Sequence, residues 1–115
     1  MIHMTRGAYL GDLEEIVLLA VARLPAEAYG MRIRREIAEQ AGRQIAIGAV
    51  YATLERLQDK SYVRPILAPV EEGRDGRARR FFAITRPGMK ALEDSAAIRQ
   101  RLWKGVNQRR VSDQT

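Results

Sequence analysis

The sequence predicts a mainly helical (α+β) chain in the order α-α-α-β-β-α, and three observations predict it. Residues 48–63, GAVYATLERLQDKSYV, have helical periodicity with one apolar stripe and one small, bare face. An arginine-rich segment around an Asp75-Gly76 turn, EEGRDGRARRFFAIT, follows and reads as a β-hairpin. Two further helical patterns precede these elements, and a longer one closes the chain.

The first helix is predicted over residues 12–24, with Asp12 and Glu15 as a variant capping box and Pro25 as its stop. Its apolar residues wrap nearly all round, from Leu13 and Ile16 through Val21, so it should be covered on more than one face. A second subunit is one such cover; a central place in its own domain is the other. The second helix is predicted over 28–40, with Tyr29, Ile33 and Ile37 inward and Gly42 as the stop. A short link, 43–47, leads to the third helix, where Ile47, Val50, Leu54 and Leu57 form the buried stripe. One short strand near 44–46 is expected to pair with the hairpin. The hairpin strands are predicted at 63–67 and 78–84, with Pro65 tolerable only on an edge. Thr85 should cap the last helix, and Pro87 fits its first turn, where the missing N–H is harmless.

Helix, short link and small-faced helix followed by a basic ribbon make a winged helix-turn-helix with a C-terminal dimerisation helix. The predicted division is a DNA-binding domain with its N-terminal helix over 1–85, the dimerisation helix over 86–106 and a flexible tail over 107–115. At 115 residues the chain should bury roughly two-thirds of its unfolded surface. A net charge of +6 favours polyanionic partners. No cysteine is present, and the only histidine is His3, which leaves no thiolate, metal cluster or histidine-based triad. No cofactor is expected, and no nucleophile–base pair suggests an enzyme. The apolar run 16–24 is too short to span a bilayer and contains Arg23, so a cytoplasmic protein with no membrane partner is expected.

The expected DNA-facing residues are Gly48, Ala49, Tyr51, Ala52, Thr53, Arg56 and Lys60 on the third helix, with Arg74, Arg77 and Arg79 on the wing. Gly48, Ala49 and Ala52 would let the backbone approach closely. Arg56 lies nearly opposite the apolar stripe and suits a guanine edge or a phosphate. Tyr51 either donates to a phosphate or packs as a boundary residue. Thr53 is a secondary contact, and Lys60 suits a phosphate. The wing arginines suit phosphates or the minor groove. For the dimer, Leu13, Val17, Met89, Leu92, Ala96 and Trp103 are expected at the interface, the last four on a seam of alternating three–four spacing. Trp103 either packs in that interface or flanks a pore for a small planar apolar ligand.

The combination AYGMRIRREI, GAVYATLERLQDK and GRARRFFAITRPG resembles the PadR-type transcriptional regulators of the short form, over about residues 10–103. The resemblance implies a cytoplasmic homodimer that binds double-stranded operator DNA, most often as a repressor released by a small molecule. The family's glycine, tyrosine, threonine and arginine of the third helix map onto Gly48, Tyr51, Thr53 and Arg56. Two positions depart from the pattern. Ser61 stands where a glycine usually ends that helix, and Ala46 and Ile47 stand where a serine or threonine often caps it. The rival reading is a winged-helix protein–protein module without DNA binding, which salt-sensitive duplex binding would exclude.

Overall fold

The computed structural model describes residues 9–66 and 79–106. Within them the chain runs α1 (Asp12–Arg23), α2 (Gly30–Ala41), α3 (Ile47–Asp59), β1 (Val63–Ile66), β2 (Phe81–Ile84) and α4 (Arg86–Val106). This is the winged helix-turn-helix order that the sequence predicts. The strands form an antiparallel pair with Val63 opposite Ile84 and Ile66 opposite Phe81.

The N-terminus of α1 is built one residue earlier than the sequence suggested. Gly11, not Asp12, is the capping position, and its N–H donates to the Glu14 carboxylate at 2.8 Å. Gly11 has no side chain to return a bond, so half of a capping box is present. The helix ends at Arg23, and Pro25 follows one residue past the capping Leu24.

Helix α2 begins two residues later than predicted because its expected first residues are taken by the wing. Tyr29 forms an isolated antiparallel bridge with Phe81, and the Phe82 N–H donates to the Ala28 carbonyl at 2.9 Å. The strand expected near 44–46 is not formed. Ile45 is instead buried, and its carbonyl accepts a 2.7 Å bond from Arg34 Nε. A link whose carbonyl is held by a side chain has less need of a strand partner.

Helix α3 begins without a side-chain cap at Ala46, as its sequence implied. It ends in a left-handed residue, Ser61, at φ 64°. Closure of the last turn by the Tyr62 N–H on the Leu57 carbonyl, at 2.9 Å, compensates the conformational cost of a serine there. Thr85 caps α4 by accepting the Gly88 N–H at 3.1 Å, and its hydroxyl donates to the Ser61 carbonyl at 2.6 Å. One threonine thus ties the exit of α3 to the entry of α4. A Cβ at Gly88 would lie 2.2 Å from the Tyr62 carbonyl oxygen, so only glycine permits this approach.

The core lies between α1, α2 and α3 and is closed by the hairpin and the first turns of α4. Leu18, Ile33, Val50, Leu54 and Leu57 are buried at its centre. Val17 and Leu92 belong to it as well, at 0% and 7% exposure. That corrects their expected place in a dimer interface: both side chains are used within the protomer. The all-round apolar character of α1 is met mainly by its own domain, with Leu19 left exposed.

Beyond Leu92, α4 is held to α1 by polar contacts. Ser95 Oγ donates to Glu15 at 3.0 Å, and Arg99 pairs with the other Glu15 oxygen at 3.2 Å and also donates to Ser95 Oγ. Past this point residues 101–106 are all exposed. Among the described residues, no helix is long and apolar enough to cross a membrane.

Candidate nucleic-acid interface

Helix α3 divides cleanly into two faces. Val50, Thr53, Leu54 and Leu57 are buried, whereas Gly48, Tyr51, Ala52, Glu55 and Arg56 are exposed. Ala49 is half-buried against the core. Gly48 has open space where a Cβ would stand, so it offers a near approach to a flat partner without being required by packing.

Thr53 does not join the exposed set. It is 0% exposed, and its hydroxyl donates to the Ala49 carbonyl at 2.7 Å. The expected secondary DNA contact by Thr53 is corrected on that ground. At position 53 the 100° helical step still turns the side chain inward, beside Val50 and Leu57, where a small hydroxyl survives by bonding its own backbone. The hydroxyl has a second role: Arg56 Nη2 donates to it at 3.2 Å.

Lys60 is also corrected. Its ammonium bonds both Glu14 carboxylate oxygens, at 2.8 and 2.9 Å, and the Tyr9 carbonyl at 3.0 Å. An ammonium has three donors, and all three are taken. Its side chain is only 16% exposed. It cannot serve a phosphate without first leaving Glu14.

Arg56 remains open. Its side chain is 54% exposed, with Nε 3.6 Å from Glu14 Oε2. This acidic neighbour comes from α1, 42 positions away in the chain. Proximity along a helix misses such a partner because it is made by helix packing.

Tyr51 is 41% exposed, and its ring end covers Gly30, where a Cβ would stand 2.5 Å from both Cζ and the hydroxyl oxygen. The ring therefore bridges α3 to the first turn of α2 while its edge faces outward. Gly30 is what lets it lie there.

On the wing, Arg74 and Arg77 lie outside the described residues. Arg79 is exposed and stacks its guanidinium on the Tyr29 ring, 4.5 Å from the centroid, while Tyr29 meets Phe81 edge-on at 5.4 Å. Such stacking fixes the base of the wing beside α2 and leaves the N–H donors on the planar cation's rim to meet acceptors of a partner. Arg80 lies over Phe82 in the same manner, at 5.5 Å. Tyr29 and Glu14 are the two residues that sequence reasoning did not place at this surface. For Glu14 a signal existed in its spacing of three from Gly11.

Two buried acids have shifted carboxyls: Glu14 behind α3 and Glu36 between Arg23 and Arg32. Burial pushes the Glu14 carboxyl up, but the Gly11 N–H and the Lys60 ammonium outweigh that and hold it below its ordinary value near 4.5. The bond from Arg23, at 2.7 Å, holds Glu36 below the same value against its burial, and Arg32 adds a pair at 3.0 Å. A depressed folded pKa means that the unfolded chain binds more protons in acid. Stability from these pairs is therefore present above the unfolded pKa and lost as pH falls through the folded one. Thermal melts should be flat between about pH 7 and 5 and should fall below about pH 4.5. Glu36→Gln should lower the plateau and flatten the acid limb; an equally steep limb in the variant would remove Glu36 from its causes.

On α4, Met89 and Trp103 are exposed at 40% and 63%, and Ala96 is exposed, whereas Leu13 is half-buried against the core. Trp103 lies on the same side of the helix as Leu92 and Arg99, by its 100° step. The stripe that packs on α1 thus continues along α4 beyond its contacts with α1.

Comparison with known proteins agrees with this architecture. The model of the transcriptional regulator PadR-like family matches residues 18–94. A PadR-like transcription factor from Bacteroides fragilis superposes with a TM-score of 0.69 at 22% identity, covering 85% of this chain and 89% of that one. A PadR family transcription regulator from Clostridium difficile R20291 gives 0.66 at 22% identity, over 84% and 97%. A PadR-like transcriptional regulator from Bacillus cereus gives 0.64 at 21% identity, over 84% and 88%. The chain is also 33% identical over 103 residues to a 37.1 kDa protein in transposon TN4556 of Streptomyces fradiae, covering 90% of this chain. It spans only 27% of that relative's length. Because the family model takes in helices α2 and α3, both strands and the start of α4, the chain belongs to the PadR-like family of DNA-binding transcriptional regulators.

Proposed function

We propose that this chain is a sequence-specific, homodimeric repressor that acts in the cytoplasm. The single observation that carries the reading is the outer face of α3, bare at Gly48 and Ala52, with Arg56 one turn on and Arg79 stacked at the wing base. In this reading α3 enters the major groove, where Arg56 reads a guanine edge or holds a phosphate. Gly48, Ala49, Tyr51 and Ala52 line the approach, and Arg74, Arg77 and Arg79 meet the flanking backbone or minor groove. Residues 1–85 form the DNA-binding unit, and residues 86–106 supply the dimer contact through Met89, Ala96 and Trp103, with Leu13 from α1. A dimer presents two copies of α3, which suits a roughly palindromic site. Repression follows from occupancy of the operator, and a planar apolar effector beside Trp103 releases it by favouring a dimer with the wrong spacing.

Selection of duplexes from a random pool tests this directly, because it returns sequence, symmetry and half-site spacing together. Arg56→Ala should weaken the selected site by about 1–3 kcal/mol and relax preference at one position of each half-site. Arg79→Ala should weaken all duplexes alike and reduce the salt slope by about one unit. Parental binding by both variants at moderate salt would refute the DNA-facing assignment.

A further inference from the structure

We infer that Glu14 is a positioning residue for the cations of α3: it withholds Lys60 from DNA and fixes the place of Arg56. The inference rests on the reading that α3 faces DNA. Glu14 sits in the first turn of α1 with its side chain 10% exposed, and the Gly11 N–H anchors one of its oxygens at 2.8 Å. That same oxygen and its neighbour take two donors of Lys60, and the Tyr9 carbonyl takes the third. The second oxygen also faces Arg56 Nε at 3.6 Å, while Thr53, itself tied to the Ala49 carbonyl, accepts from Arg56 Nη2. The guanidinium is held from two sides by groups that are nearly buried.

This arrangement has a consequence for selectivity. A free lysine attracts every phosphate alike, whereas an arginine held in place can favour one base edge. By neutralising Lys60, Glu14 removes a cation that would strengthen binding to any sequence. By bracing Arg56, it reduces the ordering that arginine must undergo on contact. An acid packed behind the exposed face of α3 therefore lowers general affinity and raises discrimination. A brace with only a structural role would change stability and leave discrimination as it was.

The test uses the full chain, the duplex recovered from the random pool and a random-sequence duplex of the same length. Binding is followed by fluorescence anisotropy across a salt series. Glu14→Gln keeps a carbonyl oxygen for the Gly11 N–H, so the start of α1 retains its acceptor. This variant should bind the random duplex about tenfold more tightly at low salt, with log K falling more steeply by about one to two units per decade of salt. The ratio between selected and random duplexes should shrink. Adding Lys60→Met to Glu14→Gln should return about one unit of slope. Lys60→Met alone should leave the parental slope nearly unchanged, which keeps the test open even if Glu14→Gln does not fold. A folded Glu14→Gln with unchanged slope and ratio, an equal loss on both duplexes, or a drop of about one unit in Lys60→Met alone would overturn the inference. If the parent itself shows no salt-sensitive duplex binding, the proposed function fails and this inference falls with it.

Discussion

Leu54→Ala should lower the stability of the protein by about 2–5 kcal/mol, with a fall in melting temperature on the order of 10 °C. Leu54 is 1% exposed and lies two residues from Arg56, on the other face of the same helix. Truncation removes apolar contacts with the core formed by α1 and α2, and it leaves a cavity that close-packed neighbours refill only in part. Arg56→Ala on that helix should melt within a few degrees of the parent, because its 3.6 Å pair with Glu14 is long and solvent-screened on the arginine side and contributes at most about 1 kcal/mol. The two variants therefore separate the halves of α3: one loses stability first, the other loses affinity for the selected duplex. A Leu54→Ala protein that melts with the parent would refute the packing of α3 described above.

Trp103→Ala should cost about 3–5 kcal/mol of dimer association if the side chain is fully buried between subunits, equivalent to a rise in Kd of about a hundredfold or more. In the protomer the residue is 63% exposed, so its own domain loses little when the ring is removed. Sedimentation over a concentration series reads the effect, and the concentration dependence of Tm should weaken in parallel. Trp103 is the only tryptophan, so fluorescence reports on it alone. In the parent its emission should lie at shorter wavelength than that of indole in water and move toward it on dilution. Planar apolar compounds should quench the emission and shift DNA affinity if the residue rims a ligand pore, and in that case truncation should cost much less association. Water-like emission in the concentrated parent, with no response to aromatic compounds and no effect of Trp103→Ala on association, would remove both roles.

Much of the frame was legible because it depends on short-range pattern. The stripe Val50–Leu54–Leu57 assigns the buried face of α3 from helical periodicity alone. Gly42 and Thr85 mark helix ends by local backbone chemistry, and both stand at helix boundaries in the structure. The same arithmetic placed Arg56 outward. It failed at Thr53, where a polar residue on the edge of the stripe was read as exposed and is buried. It failed again at Lys60, whose sequence neighbours give no hint of a carboxylate 46 positions away.

The sequence by itself determined the order of elements, the buried face of α3 and the basic outer surface. These follow from hydrophobic periodicity and capping chemistry, which act within a few residues. Tertiary structure alone decided which polar groups are free to meet a partner. Packing α1 across α3 brings Glu14 to Lys60 and Arg56, and docking β2 on Tyr29 moves the start of α2 and seats Arg79 on an aromatic ring. It also placed Val17 and Leu92 within the protomer and left Trp103 outside it. The physical reason is range: a backbone pattern is set by neighbours in the chain, whereas the partner of a charge or an exposed ring is chosen by whichever distant element the folded core brings beside it.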